Sequence, residues 1–308
     1  MSAGAPAPLG VSLTGHWLPL DAVLRLARRA DELGFALVLV DGDAGVAAPE
    51  QSRPVYDPTA LVAAVAAVTR SAQIGAIHVA HFWNAALLAR SLATLQELAA
   101  GRLVAVFGVG AGRETARLGL PQPGAGERVA RLEETVAAVR ALLAGETVTA
   151  SGRFVALERA RITPPSRRVP IAISAAGPRA LAVVARHADI WDANAPPLAG
   201  RLAPLRARLG RALPTWLWVF ARPGASRGDA AAAYRASAPW FADLRPDEAE
   251  RAVLWGEPER CRDTLARMRS ELGVALPIAD LSGLDEAGAS RALAALAPAS
   301  VARPNFVA

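Results

Sequence analysis

The chain has 308 residues, 53% of them hydrophobic, and a formal net charge of +6. This content supplies a substantial core, but no apolar run reaches the roughly 18 residues that a membrane span needs, so we expect no membrane partner. The sequence has no lysine, and its 34 basic residues are arginines spread over nearly every predicted helix, without a basic run interleaved with aromatic residues. We therefore expect no nucleic-acid partner.

The N-terminal stretch MSAGAPAPLG lacks the basic region followed by an apolar core that a signal peptide carries. We expect a cytoplasmic protein. The single cysteine, Cys261, excludes an internal disulfide and a multi-cysteine metal site. Because it lies in a helical pattern, PERCRDTLARM, we interpret it as a partly buried helix residue rather than as a nucleophile.

Apolar strands alternate with amphipathic helices along the chain. The predicted strands are 9–15, 35–40, 72–80, 102–110, 169–174, 188–194, 214–221 and 276–281. The predicted helices are 21–34, 58–70, 84–101, 126–145, 178–187, 198–210, helical material from about 228 to 272, and 285–297. The segment 145–168 breaks this order with short alternating runs around Ser151 and Gly152, which predict a small hairpin.

Eight strand–helix units in a chain of this length favour a closed parallel barrel over an open doubly wound sheet. The predicted fold is an α/β (β/α)8 TIM barrel with an excursion between strands 4 and 5. Since no shift in composition marks a linker, residues 1–308 are predicted to form a single domain.

Polar residues follow several of the predicted strands, and in a barrel the functional residues collect at those ends. They include three of the four histidines and two aspartates: His16, His78, His81, Asp41 and Asp43. Such a set could hold a metal, but the His-x-His and His-Glu-x-x-His spacings are absent, and we predict no metal site. The fourth histidine, His187, lies late in a helix, where the helix dipole favours a positive charge, and is interpreted as structural.

Two glycine-containing loops follow the fourth and fifth strands. The motif GVGAGR, 108–113, departs from the dinucleotide fingerprint in spacing and in strand, but Gly108 and Gly110 allow a backbone to approach a flat ligand closely. The stretch ISAAGPR, 173–179, places small residues and a proline at a helix start. Backbone N–H groups there can bind water or an anion such as a phosphate.

Four blocks in order resemble the luciferase-like flavin-dependent oxidoreductases, a barrel family. They are LARRADELGFALVLVDG, the long segment from DPTALV to GVGAG, RVARLEETVAAVRALL and VPIAISAAGPRALAVVARHAD. The resemblance implies a flavin across the C-terminal mouth of the barrel. Its ring would pack near Ile77 and His78, where the family often has a backbone bulge or a non-proline cis peptide, and Gly108 and Gly110 would flank the ribityl chain or the ring. Its phosphate would be held by the fifth-strand loop, that is by Ser174, Ala175, Ala176, Gly177, Pro178 and Arg179.

The resemblance further implies a flavin-dependent monooxygenase that uses reduced FMN from a separate flavin reductase, and oxygen, on a small organic substrate. A homodimer is expected. The alternatives are a hydride-transferring oxidoreductase that uses coenzyme F-420 and a non-catalytic flavin-binding relative. The family's Asp-His after the second strand reads Asp41-Gly42-Asp43 here, so its acid or base cannot be carried over. The candidate proton donors, chosen from their strand-end positions, are His78, His81, His16 and Asp41.

Overall fold

The computed structural model describes residues 8–13, 18–40, 42, 56–110, 119–120, 122–237 and 244–298. Its strands, in chain order, are β1 (Gly10–Leu13), β2 (Leu37–Val40), β3 (Gln73–Val79), β4 (Ala105–Gly108), β5 (Val148–Ser151), β6 (Ala156–Ala160), β7 (Ile171–Ala175), β8 (Ile190–Ala193), β9 (Thr215–Pro223), β10 (Val253–Gly256) and β11 (Leu276–Asp280). Eight of these pair in parallel in the order β1-β2-β3-β4-β7-β8-β9-β11, and β11 pairs back onto β1. The predicted closed barrel is confirmed.

Helices cover the outside of the barrel. They are α1 (Leu20–Glu32), α2 (Pro58–Val68), α3 (Ala85–Leu98), α4 (Ala125–Leu143), α5 (Pro178–His187), α6 (Ala199–Leu209), α7 (Arg227–Ser237), α8 (Pro246–Arg251), α9 (Pro258–Leu272) and α10 (Glu286–Leu296). Polar side chains cap several of them: for example, Asp57 accepts the Ala60 N–H before α2, Asn84 accepts two N–H groups in the first turn of α3, and Asp285 accepts the Gly288 N–H before α10. Among the helices named here, none is both long enough and apolar enough to cross a bilayer.

The segment between α7 and α9 differs from the sequence prediction. Helical material is predicted from about 228 to 272, and α7, α8 and α9 lie there, but β10 interrupts it and pairs in parallel with β9, Val253 opposite Phe220. The apolar run is only four residues long. It ends at Gly256, whose φ of 81° ends the strand. So short an apolar run hardly changes the helical periodicity of the surrounding sequence.

Alternate residues of the barrel strands face two different layers. The interior is filled by one apolar cluster that includes Leu37, Val106, Ala172, Trp216 and Ile278. The intervening residues belong to a larger cluster beneath the helices. Near the carboxyl ends of the strands, the inward positions change from apolar to small or polar residues, namely Ser12, Gly108, Ser174, Asp192 and Asp280. The interior therefore becomes polar at the C-terminal mouth.

The predicted excursion between the fourth and fifth barrel strands is an antiparallel hairpin of β5 and β6. One carboxylate on α4 holds its turn. Glu134 accepts hydrogen bonds from the backbone N–H groups of Arg153, Phe154 and Val155 at 3.2, 2.8 and 2.9 Å. This side chain thus satisfies three donors that the turn leaves unpaired within the hairpin.

We expect Glu134→Gln to loosen this hairpin, because an amide oxygen accepts more weakly than a carboxylate and its NH2 group faces N–H donors. The local cost is about 1–3 kcal/mol. Amide hydrogen exchange at residues 153–155 should rise, while exchange in the barrel strands stays unchanged. The neighbouring Glu133→Gln, which removes an exposed ion pair with Arg186, is the control and should leave the hairpin protected. Equal protection in both variants would contradict this assignment.

Candidate functional site

A row of inward-facing residues crosses the C-terminal mouth at one level. Val79 on β3 lies opposite Gly108 on β4, Gly108 opposite Ser174 on β7, and Ser174 opposite Asp192 on β8. Gly108 has no side chain and so leaves this row bare in its middle, where the only described atom within 4 Å of a β-carbon position is Cγ2 of Ile77, at 3.0 Å. A flat group can therefore approach the backbone of β4 closely.

Gly110, just after β4, needs glycine for two independent reasons. Its φ is 72°, a left-handed conformation that side chains disfavour, and a β-carbon would lie 2.6 Å from Cγ1 of Val79. The ring of His81 lies on the same side, with Cε1 3.2 Å from that position. The loop after β4 is thus packed directly onto the end of β3.

Gly42, after β2, makes the tightest backbone contact at the mouth. A β-carbon at this position would lie 1.9 Å from the carbonyl oxygen of Ile77 and 2.8 Å from its Cα. No other residue type fits at position 42 without displacing either the segment around residue 42 or the end of β3. Many members of the family that the chain resembles have histidine at this position. The close contact with Ile77 explains why this chain has glycine instead.

The fifth-strand loop ends β7 and begins α5. Gly177 is the N-cap of α5 and Pro178 its first residue, as predicted. In the described part of the chain, no side chain caps this terminus, and no atom lies within 4 Å of the position of a β-carbon on Gly177. Nη1 of Arg179 reaches 3.1 Å from the position of a β-carbon on Gly126, in the first turn of α4. The first N–H groups of α5 are accessible beside a cation, an arrangement that suits an anion.

Asp192 is the fully buried carboxyl of the mouth, with 0% of its surface exposed. Its Oδ1 accepts the Nε1–H of Trp218 on β9 at 2.9 Å. Its Oδ2 has no hydrogen-bond partner among the described residues. Burial raises the pKa of Asp192 to about 6, against the smaller stabilisation of its anion by the Ser174 hydroxyl and Trp218. A proton can therefore be gained or lost here near neutral pH.

The side chain of His78 lies on the helix-facing side of β3. Its ring centroid is 6.4 Å from that of Phe107 and 5.7 Å from that of Trp83. It is 1% exposed, and burial lowers its pKa to about 4, so the ring is neutral at pH 7. Neither ring nitrogen has a partner with good geometry in the described part of the chain. The backbone of His78 lies at the strand end, whereas its imidazole points away from the barrel interior.

His81 lies in a short 3-10 helix, Ala80–Phe82, that follows β3. Burial, followed by the charges of Arg128 and Arg131 on α4, lowers the pKa of His81. Its ring packs edge-on against Phe82, with centroids 4.6 Å apart. His16, Asp41 and Asp43 lie outside the described residues, so their proposed roles stay predictions.

The opposite side of the mouth, on β9 and β11, carries a buried charged pair. Asp280 accepts hydrogen bonds from the backbone N–H of Ser282, at 2.9 Å, and from the Ser282 hydroxyl. The Arg222 guanidinium donates to the Ser282 carbonyl and lies 3.9 Å from the ring centroid of Phe220. Burial lowers the pKa of Arg222 to about 10, and Asp280 partly offsets this. Asp280 lies near the end of the predicted strand 276–281, whereas no signal in the sequence indicated Arg222.

The remaining sequence predictions concern Cys261, His187, the peptide bond between residues 77 and 78, and metal binding. Cys261 is buried in α9 and His187 ends α5, as the sequence predicted. Residues 77 and 78 are joined by a trans peptide, since the described chain has no cis peptide bond. Across the described residues, no group of three or more histidine, cysteine, aspartate or glutamate side chains is placed to hold a metal ion.

The closed parallel barrel with its surrounding helices defines a (β/α)8 protein, and proteins of this fold carry their functional sites at the C-terminal face, which here is glycine-lined and partly polar. The chain belongs to the luciferase-like monooxygenase family, whose model matches residues 5–212. A resemblance to this family was predicted from the four sequence blocks, and it is confirmed.

Part of the chain is similar in sequence to an F420-dependent enzyme. The chain is 38% identical over 108 residues to an F420-dependent glucose-6-phosphate dehydrogenase from Beutenbergia cavernae, a match that covers 35% of this chain and 32% of the relative. The matched segment thus spans about a third of that relative's length.

Solved structures match over nearly the whole chain. An F420-dependent secondary alcohol dehydrogenase in complex with an F420-acetone adduct has a TM-score of 0.76 at 19% identity, covering 95% of this chain and 99% of its own. The monooxygenase RslO1 from Streptomyces bottropensis has a TM-score of 0.75 at 22% identity, covering 94% and 97%. At these identities, both likenesses concern the fold.

Proposed function

We propose that the protein is an oxidoreductase that transfers a hydride between the deazaflavin coenzyme F420 and a small organic substrate. The observation that carries this proposal is the similarity to F420-dependent glucose-6-phosphate dehydrogenase, at 38% identity. It favours the hypothesis of an F420-dependent oxidoreductase over that of a monooxygenase that uses reduced FMN. Because the match spans a third of that relative, its substrate is not carried over.

The residues present fit a phosphate-bearing cofactor with a flat ring. The uncapped N-terminus of α5 offers backbone donors, and the open space around Gly177 leaves room for a phosphate. Gly108 leaves the inward face of β4 without a side chain, so a ring can lie there beside Ile77, and Gly110, packed against Val79 and His81, borders this space. Ser174 lies between these two regions.

In this proposal each part of the mouth has a separate task. Residues 174–178 and Arg179 hold the phosphate, Gly108 and Gly110 admit the ring, and the β3 end supports it. When bound, the deazaflavin supplies a carbon that accepts or gives a hydride. The apolar barrel interior below the mouth excludes water from that carbon.

A reduced-FMN monooxygenase is the second candidate. It is favoured by the family description and by the likeness in fold to the monooxygenase RslO1. The same phosphate site and ring platform would serve FMN. This candidate requires oxygen and a separate flavin reductase.

Ligand titration separates the candidates. The purified protein is titrated with F420, FMN and reduced FMN, the last under anaerobic conditions, and binding is followed by fluorescence and by thermal stability. Tight binding of F420 with weak binding of both FMN forms is the expected result. Preference for reduced FMN would overturn the proposal in favour of the monooxygenase, and binding of none of the three would overturn both.

We expect Gly177→Asp to weaken F420 binding about tenfold to hundredfold, because a carboxylate at the N-cap of α5 repels the phosphate. Gly177→Asn is the matched control, since asparagine caps a helix equally well without charge. The φ of −70° and the open surroundings tolerate either side chain, so both variants should stay folded. Isothermal titration with F420 measures the difference. Equal affinities in the two variants would place the phosphate elsewhere.

A further inference from the structure

The row of inward-facing residues at the mouth ends in the carboxyl group of Asp192, which has no role in the proposed cofactor binding. Asp192 lies beside Ser174, which is assigned to the cofactor, and one strand further from Gly108. Adjacent strands are about 4.8 Å apart, so a ligand that spans Gly108 and Ser174 lies within reach of a short side chain on β8. Ser174 and Trp218, on either side of Asp192, are partly exposed.

The hydrogen bonding of Asp192 is asymmetric. Trp218 fixes Oδ1 through its indole N–H at 2.9 Å, and the Ser174 hydroxyl also stabilises the anion, whereas Oδ2 has no partner with good hydrogen-bond geometry among the described residues. Leaving a buried polar oxygen unpaired costs about 1–3 kcal/mol, so such an atom usually has a ligand, water or catalytic role. A purely structural aspartate in this apolar setting would be expected to use both oxygens.

We propose that Asp192 is the acid–base residue of the site and that Oδ2 exchanges a proton with the hydroxyl group of an alcohol substrate. The proposal rests on the proposed function and adds a substrate class to it, an alcohol that is converted to a carbonyl compound. The substrate's C–H bond breaks and its hydride passes to the oxidised deazaflavin. The O–H bond breaks, its proton passes to the Asp192 carboxylate, and the carbon–oxygen double bond forms. In the reverse direction Asp192 returns the proton.

Burial is the main cause of the raised pKa of Asp192, and its immediate neighbours on the adjacent strands are uncharged. On β7 it faces the uncharged Ser174, and on β9 it faces Trp216 and Trp218. Among the described residues, the charged groups next along the mouth are Arg222 on β9 and Asp280 on β11, which interact with each other. A carboxyl group that ionises near neutral pH is well matched to proton exchange with an alcohol.

The test compares wild type, Asp192→Asn and Trp218→Phe with F420 as the cofactor and propan-2-ol as the alcohol probe. Asp192→Asn keeps an acceptor for Trp218 but removes the base. We expect it to lower kcat/KM for propan-2-ol about a hundredfold or more, with F420 affinity nearly unchanged. Trp218→Phe removes a bond to the anion, so the acid limb of the pH profile should move up by about one pH unit.

A readout independent of turnover is the infrared carbonyl band of the protonated carboxyl group. A band that is present in wild type below pH 6, absent in Asp192→Asn and shifted by F420 with acetone supports contact between Asp192 and the ligand. Wild-type and Asp192→Asn protein with the same pH profile, or a band that ligands do not shift, would overturn this assignment. If wild type does not bind F420 at all, the proposed function fails instead, so the two failures are distinguishable.

Discussion

Gly42→Ala is expected to destabilise the protein by about 3 kcal/mol or more, because its new methyl group has no space. A β-carbon at residue 42 would lie 1.9 Å from the carbonyl oxygen of Ile77, which is backbone and cannot rotate away. Overpacking against side chains already costs about 1–3 kcal/mol, and here two chain segments must separate. Urea unfolding measures the loss as a lower midpoint.

The same variant tests the ring platform. Separating residue 42 from Ile77 displaces the end of β3, so F420 binding should weaken together with stability. Gly200→Ala is the matched control, since it lies in α6 with nothing within 4 Å of its β-carbon position. A helical alanine there should stabilise by up to about 1 kcal/mol. Equal midpoints for the two variants would show that the contact at Gly42 is relaxed in solution.

Asp192→Asn is expected to become more stable than wild type as the pH rises. The folded pKa of about 6 lies above the ordinary value of 3.8, so between these values the folded protein holds a proton that the unfolded chain has lost. The free energy of unfolding of wild type therefore falls through this window, by about 3 kcal/mol in total. Asparagine does not ionise, so this loss is absent in the variant.

Unfolding in urea at several pH values measures the divergence. The stability of Asp192→Asn relative to wild type should rise by about 2 kcal/mol between about pH 4.5 and pH 8. Asp189→Asn is the comparison, because Asp189 accepts from the Ile171 N–H and pairs with Arg140 and Arg168. Loss of the Asp189 negative charge should destabilise the protein at pH 8. A constant difference between Asp192→Asn and wild type would refute the raised pKa.

Local sequence signals predicted most of the barrel. The pairs Asp57-Pro58 and Gly177-Pro178 mark helix starts correctly, because capping and the fixed φ of proline act within a few residues. The strand β10 was missed because its pairing with β9, not its short apolar run, defines it. Local patterns carry little information about such long-range pairing.

The site was predicted in outline only. The glycine loop and helix start around Gly177 followed from the sequence, but the importance of Asp192 did not. Its place in the apolar run ADIWDAN gave one usable signal, since residue parity puts it on the inward face of β8. Its burial, the bond from Trp218 and the unpaired Oδ2 depend on neighbouring strands. The contact of Gly42 with Ile77 likewise joins two separate units.

The pairing of β1 with β11 has a consequence for synthesis on the ribosome. The two strands come from opposite regions of the sequence, and the ion pair of Arg25 with Glu286 beside them joins residues 261 positions apart. The edge of β1 has no partner until β11 has been translated and has left the exit tunnel. Throughout that interval the nascent chain presents an open strand edge, the kind of surface that other chains pair with. Protection of this edge by a chaperone would matter more here than in a protein whose first strand pairs only with its sequence neighbours.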